Sequence, residues 1–211
     1  YRLSCWLRDG KRLVTVSDAD GEERLEVHWV DGSKPSIRLN RLDIGRATSI
    51  DVSPKKDQIV LTNHRCELLL VDLARRSMKK LDTSENGFIY GIAWSPDGRW
   101  VAYGFPSTQQ TCSIKICRPD TGASWLVTPP EFNDVAPSWD PEGKYLYFLS
   151  LREFNPVYDD VHFDLGFPQA MRPLLVTLRK DLASPFVPVP RPLQDKGGKA
   201  EESGSEGGAG K

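Results

Sequence analysis

The chain has 211 residues and a mass of 23.7 kDa, room for one domain or two small ones. Its 28 basic and 29 acidic side chains leave a formal net charge of -1, which gives no general pull toward nucleic acid or an anionic membrane. Aliphatic runs such as Leu68-Leu69-Leu70-Val71 fall far short of the ~20 residues that span a bilayer, so no transmembrane anchor is expected.

The chain opens without Met on Tyr1-Arg2-Leu3-Ser4-Cys5-Trp6, which reads as a half-buried strand, so no retained signal peptide is expected, though a cleaved one stays open. The expectation is a sequence that begins inside a larger protein. Four segments then repeat: Trp6-Leu-Arg-Asp-Gly-Lys-Arg-Leu13, Val52-Ser-Pro-Lys-Lys-Asp-Gln-Ile59, Trp94-Ser-Pro-Asp-Gly-Arg-Trp-Val101 and Trp139-Asp-Pro-Glu-Gly-Lys-Tyr-Leu146. With Arg8, Pro54, Pro96 and Pro141 as equivalents, the steps are 46, 42 and 45 residues. That is the period of a four-stranded propeller blade.

The repeated turn has a chemical reason. In Ser95-Pro96-Asp97-Gly98, Pro presets the second position of a type I turn, and Gly takes the left-handed conformation that closes a hairpin with a bulge. The second copy, Pro54-Lys55-Lys56-Asp57, lacks the Gly. After each turn comes a further strand pattern, such as Leu25-Glu-Val-His-Trp-Val30, Glu67-Leu-Leu-Leu-Val71 and Ser113-Ile-Lys-Ile-Cys117, and then a short outer strand. Helical periodicity is almost absent.

The prediction is an all-β partial propeller of about four four-stranded antiparallel blades, at about 1–43, 44–85, 86–131 and 132–190. Trp6, Trp94 and Trp139 read as wedges between blades, and Leu13, Ile59, Val101 and Leu146 as core. The apolar run Tyr145-Leu-Tyr-Phe-Leu149 predicts a strand covered on both faces. The fourth repeat has about sixteen extra residues, Arg152 to Pro168, whose aromatics and prolines predict a packed, ordered excursion. Residues 191–211 hold six of the 17 glycines and no aromatic, the composition of a disordered linker or tail.

Candidate chemistry is sparse. Cys5, Cys66, Cys112 and Cys117 lack metal or redox spacing and read as free, mostly buried thiols of a reducing compartment. Of the three histidines, His28 lies mid-strand, and His64 lies in a turn beside Arg65, suited to local hydrogen bonding. Asp160-x-His162-x-Asp164 puts three potential ligands on one face if extended, but no fourth ligand is identifiable, and it reads as a polar face with a locally bonded His. No Gly-x-Ser-x-Gly elbow or phosphate-binding glycine loop occurs. The expected catalytic, cofactor-binding and metal residues are therefore none, with no cofactor.

Ser150-Leu-Arg-Glu-Phe-Asn-Pro-Val-Tyr-Asp-Asp-Val-His-Phe-Asp-Leu-Gly-Phe-Pro168, continuing through Arg172-Pro-Leu-Leu-Val-Thr-Leu-Arg-Lys-Asp181 and Ser184-Pro-Phe186, resembles the end of the second propeller of tricorn-type serine proteases. Asn63-His64-Arg65 followed by Glu67 to Leu73 resembles that family too. The resemblance covers residues 1–190 and implies the last four blades of a seven-bladed propeller, followed by a linker to the protease core. It also implies a large cytoplasmic homo-oligomer that degrades oligopeptides with a Ser nucleophile and a His base. The propeller channel would route peptides to that site, so the segment would serve substrate access and filtering, or assembly. No catalytic residue carries over, because the matching segments lie outside the protease core. The turn repeat alone also fits a protein-binding propeller of the periplasmic translocation type or that of a prolyl oligopeptidase.

Overall fold

A computed structural model describes residues 2–188; the predicted tail at 191–211 lies outside them. The described residues form strands and turns with no helix, and none of them crosses a membrane as a long apolar helix. Each repeated turn joins the first two strands of a sheet. At 95–98, Gly98 N–H donates to the Ser95 carbonyl at 2.8 Å and Ser95 N–H to the Trp100 carbonyl at 2.9 Å. Gly98 has φ +67°, and a Cβ there would lie 2.9 Å from Lys55 Cγ, so both conformation and space require glycine. The second copy closes without glycine: Ser53 Oγ accepts from the N–H groups of Lys55 and Lys56 instead.

The first sheet has β1 (Leu3–Trp6), β2 (Arg12–Ser17), β3 (Arg24–Trp29) and β4 (Ile37–Arg38) in that order. The second repeats it with β5 (Ala47–Val52), β6 (Gln58–Asn63), β7 (Glu67–Asp72) and β8 (Ser77–Thr83). The third has β9 (Tyr90–Trp94), β10 (Val101–Pro106), β11 (Cys112–Cys117) and β12 (Ser124–Leu126). All neighbours within these three sheets are antiparallel. The fourth departs from the predicted four strands: β13 (Asn133–Trp139) and β14 (Tyr145–Leu151) are followed by β17 (Met171–Thr177), with β15 (Val157–Asp159) and β16 (Asp164–Gly166) forming a separate hairpin. A parallel bridge between Cys112 and Asn133 ties the third and fourth sheets.

The sheets stack face to face. Val14, Val16, Leu25 and Val27 of the first meet Ile59, Leu61, Leu69 and Val71 of the second. Val60, Leu68 and Leu70 then meet Trp94, Val101 and Tyr103, and Ala102 and Ile114 meet Leu146 and Phe148. This is an unclosed propeller of four blades. Alternate residues of one strand point to opposite neighbours, so central strands are buried on both faces.

End blades differ from the sequence expectation for that reason. Trp6 is 55% exposed and Leu13 half-buried, whereas Trp94 is 8% exposed and Ile59, Val101 and Leu146 are fully buried. β14 is not covered on both sides: Leu146, Phe148 and Ser150 are buried, and Leu149 and Leu151 are 36% and 41% exposed. The excursion is ordered, yet its aromatics do not pack into the core.

Candidate functional site

The first strands of successive sheets converge: β1 abuts β5, β5 abuts β9, and β9 abuts β13. These four form one wall at the inner edges of the blades. β5, β9 and β13 each carry a bulge, with Gly91 and Ala136 at φ +62° and +52° in the latter two. Bulges bend the strand and break its register, which suits a short strand packed near an axis.

Repeated tryptophans lock the wall. Trp94 Nε1–H donates to the Asp51 carbonyl at 3.3 Å, and Trp139 Nε1–H donates to the Ala93 carbonyl at 3.0 Å. In both, the ring bonds the preceding blade three residues before that blade's turn-proline. Asp51 adds its carboxylate, with Oδ2 accepting from Trp94 N–H at 3.0 Å and Oδ1 from its neighbour Val52 N–H at 2.9 Å. Burial pushes the Asp51 carboxyl above its usual range, against the pull of those two N–H donors.

A second junction joins the outer parts of blades two and three. Asp82 Oδ2 accepts from Tyr103 Oη–H and from Lys115 Nζ–H, both at 2.6 Å, and Lys115 Nζ also sits 4.1 Å from the Phe105 ring centre. Sequence reasoning missed this cluster. A trace of it exists: Lys115 holds the position that Leu69 and Leu174 hold in blades two and four and that Glu26 holds in blade one, so this register carries a charge in two of the four blades. Between blades one and two, ions serve the same end, with Arg12 on Asp57 at 2.9 Å and Arg65 on Asp43 at 2.9 Å.

Each singled-out group is accounted for locally. His64 Nδ1 accepts from Arg46 N–H at 3.0 Å, the bonding predicted for it. His28 Nε2 lies 3.1 Å from Thr15 Oγ1 and 3.3 Å from Glu26 Oε2. A nucleophile relay needs hydroxyl and carboxylate on opposite ring nitrogens, and here they share one. The Asp160-x-His162-x-Asp164 stretch is a turn, not an extended face; His162 Nδ1 bonds Asp159 Oδ2 at 2.8 Å, and the described residues hold no cluster of three metal-ligating groups. All four cysteines are free, two buried and two half-buried. Burial first, then Asp82, pushes the Cys117 thiol up to about 12; burial raises Cys112 as well, with nearby Asp134 adding to it.

Cavities open between the blades. One of about 690 Å³ lies between blades one and two, where Glu23 and Asp43 are held by Arg2 and Arg65. Another, about 670 Å³, lies on the turn-bearing face between blades three and four, with Trp100, Ile116, Trp139 and Leu178 among its walls.

Over residues 1–209 the sequence matches the family described as the tricorn protease second beta propeller domain. The chain belongs to this tricorn propeller family. Tricorn protease homolog 1 of Streptomyces coelicolor is 34% identical over 184 residues, covering 85% of this chain and 17% of that protein. The tricorn protease homolog of Saccharolobus solfataricus is 35% identical over 174 residues, 82% of this chain and 16% of that protein. The chain spans about a sixth of the length of these curated relatives. A crystal structure of the tricorn protease superposes with a TM-score of 0.75 at 21% identity, over 83% of this chain and 18% of that one, in keeping with the propeller fold.

Proposed function

We propose that this segment is a non-catalytic wall of a tricorn-like serine protease that degrades oligopeptides, serving substrate access and filtering. The observation that carries the reading is the convergence of β1, β5, β9 and β13 into one inner wall, joined to a family match that spans nearly the whole chain. The mechanism is geometric: the inner strands admit an extended peptide, and covalent chemistry takes place elsewhere in the parent protein. Among the described residues His28 and His64 are engaged in inter-strand bonds, and neither sits in a nucleophile relay. In this reading the blades run 1–43, 44–85, 86–131 and 132–190, residues 191–211 link to the protease core, and the parent works as a cytoplasmic homo-oligomer.

The test sets the full-length parent beside residues 1–211 on fluorogenic peptides of four to twelve residues. Turnover is expected from the parent alone, and Tyr90→Trp, which enlarges a half-exposed side chain at the start of β9, should lower kcat/KM for the longest peptides several-fold more than for the shortest. Hydrolysis by the isolated segment would overturn the division of labour.

A further inference from the structure

We propose that the β15–β16 hairpin docks, through its tip, into the cavity between blades three and four of a second copy of this protein. The hairpin pairs Val157 with Gly166, Tyr158 with Leu165 and Asp159 with Asp164, and it shares no strand pairing with the rest of the fold. Its base is held down: Arg172 Nε donates to Glu153 Oε1 at 2.7 Å, and the Phe154 and Phe167 rings meet at 5.2 Å. Its tip is turned outward, with Val161 78% and Phe163 79% exposed.

Three features of the tip work against the hairpin's own stability. Two carboxylates, Asp159 and Asp164, stand directly opposite each other across the strands. Phe163 has φ +54°, a left-handed conformation that a bulky side chain rarely adopts. An isolated two-stranded ribbon is itself marginal in water. The same turn carries the exposed Phe163 together with Asp160 and Asp164, and Asp159 holds it through His162 Nδ1 and the N–H groups of Val161 and His162.

The cavity has the complementary chemistry. Its apolar walls are Trp100, Ile116, Trp139 and Leu178, and its charged lining residues are Lys55, Arg99 and Arg179 against Asp97 and Glu142, of which Asp97 is paired with Arg99 and Glu142 with Lys144. Arg99 is occupied by Asp97 at 2.6 Å, and Arg179 only loosely by Asp181 at 3.4 Å; the Lys55 ammonium makes no ion pair among the described residues. At about 670 Å³ the space exceeds what one phenylalanine ring fills, leaving room for the flanking carboxylates near the cations. The hairpin does not fill the cavity of its own chain, whose walls include none of the hairpin's residues. The cavity lies at the Tyr145 end of β14 and the hairpin leaves from the Leu151 end, about 20 Å away for a seven-residue strand. The contact is therefore head-to-tail between copies, the kind that propagates or closes a ring.

The proposal concerns assembly and stands apart from the access reading, which peptide turnover tests. Sedimentation velocity on the full chain carrying Leu149→Lys, which reduces association through the exposed face of β14, should show concentration-dependent association at 50 mM salt. Phe163→Ser should weaken it at least tenfold, and so should the charge reversals Asp160→Lys with Asp164→Lys, or Lys55→Glu with Arg179→Glu. Mixing the two reversal variants should restore heterologous association to within about threefold of the original. A monomeric Leu149→Lys chain, an unaffected Phe163→Ser variant, or a mixture that fails to recover each overturns it.

Discussion

Asp51 and Asp97, in successive blades, show how one residue type serves opposite electrostatic ends. Asp51 lies against the inter-blade junction, where burial outweighs the two N–H donors and its carboxyl titrates above the usual range. The native state holds that proton more tightly than the unfolded chain, so the contribution is fully present below the unfolded pKa and is lost as pH rises through the native value. Asp97 is the converse: burial would raise it, but the Ser95 hydroxyl, the Arg99 N–H and the Arg99 guanidinium together hold it low. Its contribution is present above the unfolded pKa of about 3.9 and lost as pH falls through the native value. Urea midpoints between pH 7 and pH 3 should therefore fall more steeply for Asp51→Asn than for the parent, and less steeply for Asp97→Asn. Parallel profiles for Asp51→Asn and the parent would show that the junction carboxyl does not sense its burial.

Strand β14 separates the two kinds of burial that a propeller strand can have. Its Leu146 and Phe148 face blade three and are buried, while Leu149 and Leu151 face outward. Truncating Leu146 to Ala removes contacts that the packed blade interface cannot fully replace, at a cost of roughly 2–5 kcal/mol. Leu149→Lys, one pleat away on the opposite face, should change stability by no more than about 0.5 kcal/mol. Denaturation of the two variants checks the contrast. Equal losses would mean that the outer face of β14 is covered. In a central strand such as β6, where Val60 and Leu61 are both fully buried, the same alternation of directions gives no safe position.

Among the described residues, stacking four blades leaves two outer faces, and they are unlike. The first presents Trp6 and half-buried Leu13 beside the Thr15, His28, Glu26 and Arg38 network; the last presents Leu149, Leu151 and Met171. Repeated Trp-to-carbonyl bonds show how such a face is covered inside the stack: the ring of one blade donates to the inner strand of the one before. Exposed apolar area of this kind drives association. Face-driven self-association of the chain should strengthen, or hold steady, as salt rises from 50 to 500 mM, and Leu149→Lys should reduce it. The hairpin-tip contact, resting in part on charge, should weaken over the same range. Light scattering across the salt series distinguishes the two, and a monodisperse monomer at every salt concentration would contradict both.

The Pro-Asp-Gly turn and its spacing made the blades legible, because a type I turn closed by a left-handed glycine is a local matter: Gly98 takes the same conformation whatever packs beside it. Strand order and much of the core followed from that, and so did the local bonding of His64. What the local pattern did not carry is which faces have neighbours. Trp6 and Trp94 occupy the same repeat position, yet one is exposed and the other buried, because among the described residues only Trp94 packs against a preceding blade. The Asp82–Tyr103–Lys115 junction and the charged, exposed hairpin tip were equally hidden, since the first joins residues from two blades and the second depends on chain leaving the sheet. Turn geometry is encoded within a few residues and is read from sequence; burial and electrostatic partnership are properties of pairs of surfaces, and only the tertiary stack decides them.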